Sequence, residues 1–141
     1  MVPFPEPPPA ISDPRACPGS TVELEQLLGR FRIALPPGAT QVLFDASVHP
    51  LFGEYALAVA FRTTPEGLVR FTQDNGFKSP GAEMTATGPL PNAPTCLDGR
   101  DRLTVTSLTS AWAVDDRVWR VAAVDRSDPR RPLVVVEAFD V

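Results

Sequence analysis

The chain has 141 residues, 43% of them apolar and 21% charged, with a formal charge of −4, proportions of a single globular domain that exclude a wholly disordered chain and a coiled coil. Its twelve arginines and single lysine, Lys78, are interspersed with aspartates, and even the densest run, Arg126–Arg131, follows Asp125 and contains Asp128. Such a distribution offers no basic face for phosphates and argues against a nucleic-acid partner. The longest unbroken apolar run, Tyr55–Phe61, has seven residues, far short of the roughly 20 that cross a bilayer.

Proline is the compositional outlier: 17 in all, seven of them within residues 1–18. This predicts an extended Pro-rich tether over 1–18 and a single domain over 19–141. The tether's Pro5-x-x-Pro8 matches an SH3-type ligand only as any Pro-rich stretch does. Next, Ser20-x-x-Glu23 has the form of a capping box, Leu24, Leu27 and Leu28 follow at helical spacing and Gly29 offers a stop, which predicts a short helix over 21–28. Phe31, Ile33 and Leu35 then alternate with Arg32 and Ala34 before Pro36-Pro37-Gly38, the pattern of a strand ended by a turn.

Two further strands, 41–48 and 54–63, flank the loop His49-Pro50-Leu51-Phe52-Gly53. The second puts Tyr55, Leu57, Val59 and Phe61 on one face and Ala56, Ala58 and Ala60 on the other, flat enough for close packing. Thr64-Pro65-Glu66 starts a helix, Leu68, Val69 and Phe71 give it an apolar stripe, and Asn75-Gly76 closes it, with Phe77 placed to pack back. Residues 78–101 hold Pro80, Gly81, Gly88, Pro89, Pro91, Pro94 and Gly99 and read as one long loop. Strands over 103–108, 110–114, 117–124 and 132–139 follow, with turns at Asp115-Asp116 and over 125–131. The sum is an α+β domain: a mainly antiparallel sheet of five or six strands, one main helix (64–75) packed on one face, and a short N-terminal helix. A closed all-β barrel with the helix as an insertion is the alternative.

Cys17 and Cys96 both sit in polar Pro/Gly contexts, which favours a disulfide over two inert thiols, although spacing alone does not establish connectivity. Closing their 79-residue separation stabilises by about 4 to 5 kcal/mol in the chain-entropy model, and a disulfide implies an oxidising compartment. The expectation is therefore an extracytoplasmic protein, held at a membrane, if at all, only through an upstream anchor that has been removed.

Most chemistries lack their residues. No glycine run precedes Lys78 as a phosphate loop requires, no Gly-x-Gly-x-x-Gly occurs, and one histidine with two distant cysteines does not make a zinc centre. No cofactor and no metal are expected. Asp125-x-x-Asp128 resembles a calcium chelate only until Arg126, Arg130 and Arg131 are counted, and Asp45, on the strand face opposite Phe44 and Val48, reads as an ordinary outward strand residue before it reads as one of a catalytic pair with Glu54. His49, the sole imidazole, is the one candidate general base; an exposed loop histidine is the simpler reading. Phe52 and Tyr55 in the same region are candidate aromatic anchors, and Trp112 and Trp119, flanking the Asp115-Asp116 turn, are either core or binding residues.

The segments Leu35–Val42 and Phe52-Gly53-Glu54-Tyr55, the apolar strand through Arg62, the helix Pro65–Phe71 and the stretch Val124–Val136 together resemble small actinobacterial domains of secreted proteins and lipoproteins of unknown function. The resemblance implies an exported, often lipid-anchored protein and no catalytic residues. Functionally, the favoured expectation is a non-enzymatic binding domain with a protein partner, contacted through the 78–101 loop and the His49–Tyr55 loop. A toxin-neutralising protein is one concrete form, and a small hydrolase using His49 as base is the alternative.

Overall fold

The computed structural model describes residues 9–77, 93–97, 108–115 and 118–140, the stretch 108–115 by its backbone. Its elements in chain order are α1 (Leu24–Arg30), β1 (Thr40–Val48), β2 (Tyr55–Arg62), α2 (Pro65–Asp74), β3 (Leu108–Asp115), β4 (Val118–Asp125) and β5 (Leu133–Asp140). The fold is α+β, and the strands form one antiparallel sheet in the order β1-β2-β5-β4-β3. The last strand thus lies between two hairpins formed before it. That position explains its sequence: Leu133-Val134-Val135-Val136 does not alternate because both faces are buried there.

One face of the sheet carries the main core. Phe44 pairs with Val59, Val59 with Val136 and Val136 with Ala122, all buried. Leu24 and Leu27 from α1, Phe31 just after it, and Leu68 and Phe71 from α2 join the same cluster. Phe71 meets Phe61 edge-on at 5.3 Å between ring centroids. The helix start at Thr64 is as the sequence implies: its Oγ1 accepts from the Gly67 N–H at 3.0 Å. The end is too, with Gly76 at φ +66° and the Phe77 N–H returning to the Thr72 carbonyl at 3.1 Å. On the other face, the alanines of β2 admit a close neighbour: Ala60, Leu133 and Val135 form a second cluster with Ala93.

Three expectations fail locally. Residues 31–35 are not a strand; Phe31 and Ile33 point into the core from irregular backbone in which Arg32 has φ +55°. Asn75 supplies the missing ladder, its Oδ1 accepting from the Ala34 N–H at 2.7 Å and its Nδ2 donating to the Ala34 carbonyl at 2.9 Å. Nor is Ser20 a cap. It is buried, donates to the Phe44 carbonyl and accepts from the Ala46 N–H, while Glu23 occupies the N-cap position with no side-chain bond. Gly29, finally, lies inside α1, which closes one turn later when the Ile33 N–H reaches the Leu28 carbonyl at 2.9 Å.

Residues 1–8 of the expected tether are outside the described residues, but 11–18 lie against the fold. Ala16 bridges Phe44 in parallel, the Cys17 N–H donates to the Phe44 carbonyl at 2.7 Å, and the Thr21 N–H donates to the Ala46 carbonyl at 2.9 Å. The exposed edge of β1 is thereby covered, which removes a site for unwanted strand pairing. Arg15 fixes this segment with ion pairs to Asp13 (2.8 Å) and Glu25 (2.7 Å). The expected strand 103–108, apart from Leu108, and all of loop 78–101 except 93–97 lie outside the described residues.

Candidate functional site

The β1–β2 connection builds the most distinctive surface. Beyond the Val48↔Tyr55 pair, the His49 N–H donates to the Glu54 carbonyl at 2.7 Å and the Gly53 N–H to the His49 carbonyl at 2.9 Å. Gly53 takes φ +66°, which a side chain would resist. Inside this frame the His49 Nδ1 accepts from the backbone N–H groups of Leu51 (3.2 Å) and Phe52 (3.3 Å), and the two rings of His49 and Phe52 stack at 4.8 Å. The imidazole holds the tip from beneath. As a result Leu51 and Phe52 stand out at 66% and 72% exposure, the largest apolar exposures among the described residues together with Val69.

Behind the tip lies an open cleft of about 400 Å³ bordered by Ser47, His49, Glu54, Tyr55, Ala56 and Phe139. Tyr55 is half-buried. The Arg30 guanidinium lies over its ring at 4.5 Å, and its N–H donates to the Asp140 Oδ2 at 2.9 Å. Asp140 also takes both arms of Arg30, at 3.1 and 2.9 Å. Burial pushes the Asp140 carboxyl up, but the Arg30 and Tyr55 donors outweigh it and hold it below the ordinary carboxylate value. This knot joins the end of α1 to β2 and β5, and no sequence signal marks it because its parts lie up to 110 residues apart.

Trp119 pairs with Phe139 across β4 and β5, ring centroids 6.4 Å apart. Since Phe139 also borders the cleft, His49, Phe52, Tyr55 and Trp119 gather around one end of the sheet. Trp112 pairs with Val121 and Trp119 with Val114, so the tryptophans are two register positions apart; the Trp112 side chain is outside the described residues.

The chemistry available is limited. Cys17 and Cys96 are joined, S–S 2.02 Å, so in this state neither is a nucleophile. A disulfide suits an oxidising environment. Asp45 accepts from the Thr95 N–H and hydroxyl, and Asp125 accepts from the Ser127 N–H and hydroxyl. Among the described residues no three His, Cys, Asp or Glu side chains converge as metal ligands, and no helix there is long and apolar enough to cross a membrane. Comparison with protein-family models, curated proteins and solved structures gives no match.

Proposed function

We infer that the chain is a non-enzymatic, extracytoplasmic interaction domain that contacts a protein partner through the tip of the β1–β2 loop. The observation that carries this reading is the presentation of Leu51 and Phe52: two large apolar side chains held outward by His49 on an ordered backbone. Preorganised aromatic anchors of this kind bind with little ordering cost. The Cys17–Cys96 bond supports the compartment. We take the whole domain as a sheet of five or six strands packed on one face by α2, of the kind found in exported actinobacterial proteins. Neutralising a basic toxin is the form of binding that the −4 charge suits.

The hydrolase alternative asks His49 to accept a proton from substrate. Its Nδ1 already accepts two backbone N–H groups, so the neutral ring carries its proton on Nε2 and has no free lone pair to serve as base. The test uses an affinity column of the chain against extract of the source organism, run beside Phe52→Asp. A specific protein retained by the parent and lost from the variant is expected. Turnover in an ester and peptide screen that disappears in His49→Ala would overturn the reading.

A further inference from the structure

The segment Ala93–Leu97 is strapped across the second face of the sheet by three unlike contacts. Ala93, 3% exposed, packs with Ala60, Leu133 and Val135, with Leu97 at the margin. Thr95 donates its N–H (2.6 Å) and its hydroxyl (3.2 Å) to the Asp45 carboxylate on β1. The third contact is the Cys17–Cys96 bond.

The two halves of that bond differ. Cys17 is 2% exposed and its backbone is fixed on β1 through the Phe44 carbonyl, whereas Cys96 is exposed and belongs to the strap. The Cys96 N–H also points at the Cys17 Sγ, 3.3 Å away. Thiol–disulfide exchange proceeds by attack on the accessible sulfur and departs through the sulfur whose thiolate is better stabilised. Both criteria select the same direction.

We propose that Cys96 is a site of thiol–disulfide exchange with a dithiol reductant, and that Cys17 is the leaving thiolate. A thiolate of the reductant bonds to the Cys96 Sγ, the Cys17–Cys96 bond breaks, and its electron pair leaves on the Cys17 sulfur beside the Cys96 N–H. The second thiolate of the reductant then attacks its own sulfur in the mixed disulfide and releases Cys96. Two electrons and two protons pass to the protein as two thiols, and the dithiol becomes a disulfide. Afterwards, among the described residues, the strap is held by Asp45 and the small apolar cluster, and the face formed by Ala60, Leu133 and Val135 becomes easier to uncover.

The experiment treats the native, oxidised full chain with glutathione, quenches by acid and alkylation, and maps the adduct by peptide mass spectrometry. Glutathione on Cys96 in at least tenfold excess over Cys17 is expected; adduct mainly on Cys17, or equal on both, overturns the assignment. A second arm measures net reduction by dithiothreitol in Asp45→Ala and Thr95→Ala. With the polar anchor gone the freed Cys17 thiolate recloses less often, and Asp45→Ala is expected to reduce about tenfold faster, the scale of hydrogen bonds to a charged group. Rates in both variants equal to the parent's, and equal to its global unfolding rate, overturn the proposal.

Discussion

Asn75 grips Ala34 by both backbone groups, accepting from its N–H at 2.7 Å and donating to its carbonyl at 2.9 Å, while the same Nδ2 donates to the Phe71 carbonyl at 2.7 Å. A side chain at the end of α2 therefore does for residue 34 what a neighbouring strand does elsewhere. Asn75 is 5% exposed, so water has little access to the groups it pairs. Asn75→Ala takes the partner from the Ala34 N–H and carbonyl, while the Phe71 carbonyl keeps the Asn75 N–H, and is expected to cost about 2 to 4 kcal/mol, read as a lower urea midpoint at unchanged m-value. Asn75→Asp keeps the acceptor but sets a carboxylate oxygen against the Ala34 and Phe71 carbonyls, so it should cost at least as much; a loss below about 0.5 kcal/mol for either, the usual range of surface substitutions, contradicts this role.

That contact also explains what the sequence conceals. Alternation of Phe31, Ile33 and Leu35 records only that successive side chains face opposite ways, which an extended coil shares with a strand. Its hydrogen-bond partner is a side chain 41 residues later, with no local trace. By contrast α2 was legible at both ends, since Thr64, Pro65, Asn75 and Gly76 act within their own helix. The β5 run was legible as a strand, but not as the strand between two earlier hairpins, because pairing order leaves no periodicity. At the site, His49 and Phe52 were visible by type, whereas the Arg30–Asp140 knot that fixes Tyr55 needs the fold to bring its parts together.

Ser20 makes a related point about motifs. Its hydroxyl bridges the N-terminal segment to β1, accepting from the Ala46 N–H at 3.1 Å. Ser20→Ala is expected to destabilise by about 1 to 2 kcal/mol by leaving that buried N–H unpaired, and hydrogen exchange at Ala46 should rise. An N-cap role predicts faster exchange at the start of α1 instead, with Ala46 unaffected.

Gly67 stands where a side chain does not fit. A Cβ there meets the Thr63 Oγ1 well inside contact distance and the Thr64 Oγ1 at 3.2 Å. The Thr63 hydroxyl is itself buried and has no hydrogen-bond partner among the described residues. Gly67→Ala should therefore cost about 1 to 3 kcal/mol despite alanine's better helix propensity. In a Thr63→Ala background most of that loss should vanish. Additive effects in the double mutant, measured by denaturant unfolding, contradict the steric account.

Acid should weaken the fold through Asp140, Asp13 and Glu25. Arg15 holds Asp13 and Glu25 below their ordinary values, and the Arg30 and Tyr55 donors do the same for Asp140 against the effect of burial. A carboxyl lowered in the folded state adds stability above the unfolded value, near 4 for these side chains, and loses it as pH falls through the folded value. Stability should thus be level from neutral pH to about 5 and decline below about 4. Asp140→Asn should lose about 1 kcal/mol at neutral pH, a small figure because Arg30 is partly exposed, and should show a shallower acid limb. Urea midpoints taken every half pH unit decide it; an equally steep limb in the variant removes Asp140 from the account.

His49 is the residue on which the proposed contact surface rests, and its two contributions can be separated. Nδ1 fixes the Leu51 and Phe52 N–H groups, and the ring face stacks on Phe52. His49→Phe keeps the stack and loses the acceptor, whereas His49→Ala loses both. Because the loop is exposed, neither change should shift global stability by more than about 1 kcal/mol. Amide exchange at Leu51 and Phe52 should quicken in both variants, with the Gly53 N–H, bonded to the His49 carbonyl, changing less. If ordering of the tip underlies binding, partner retention should fall stepwise from parent to His49→Phe to His49→Ala, since each step returns conformational freedom that binding must remove. Quicker exchange at both amides with retention unchanged in both variants would separate the order of the loop from its function and shift the contact surface away from it.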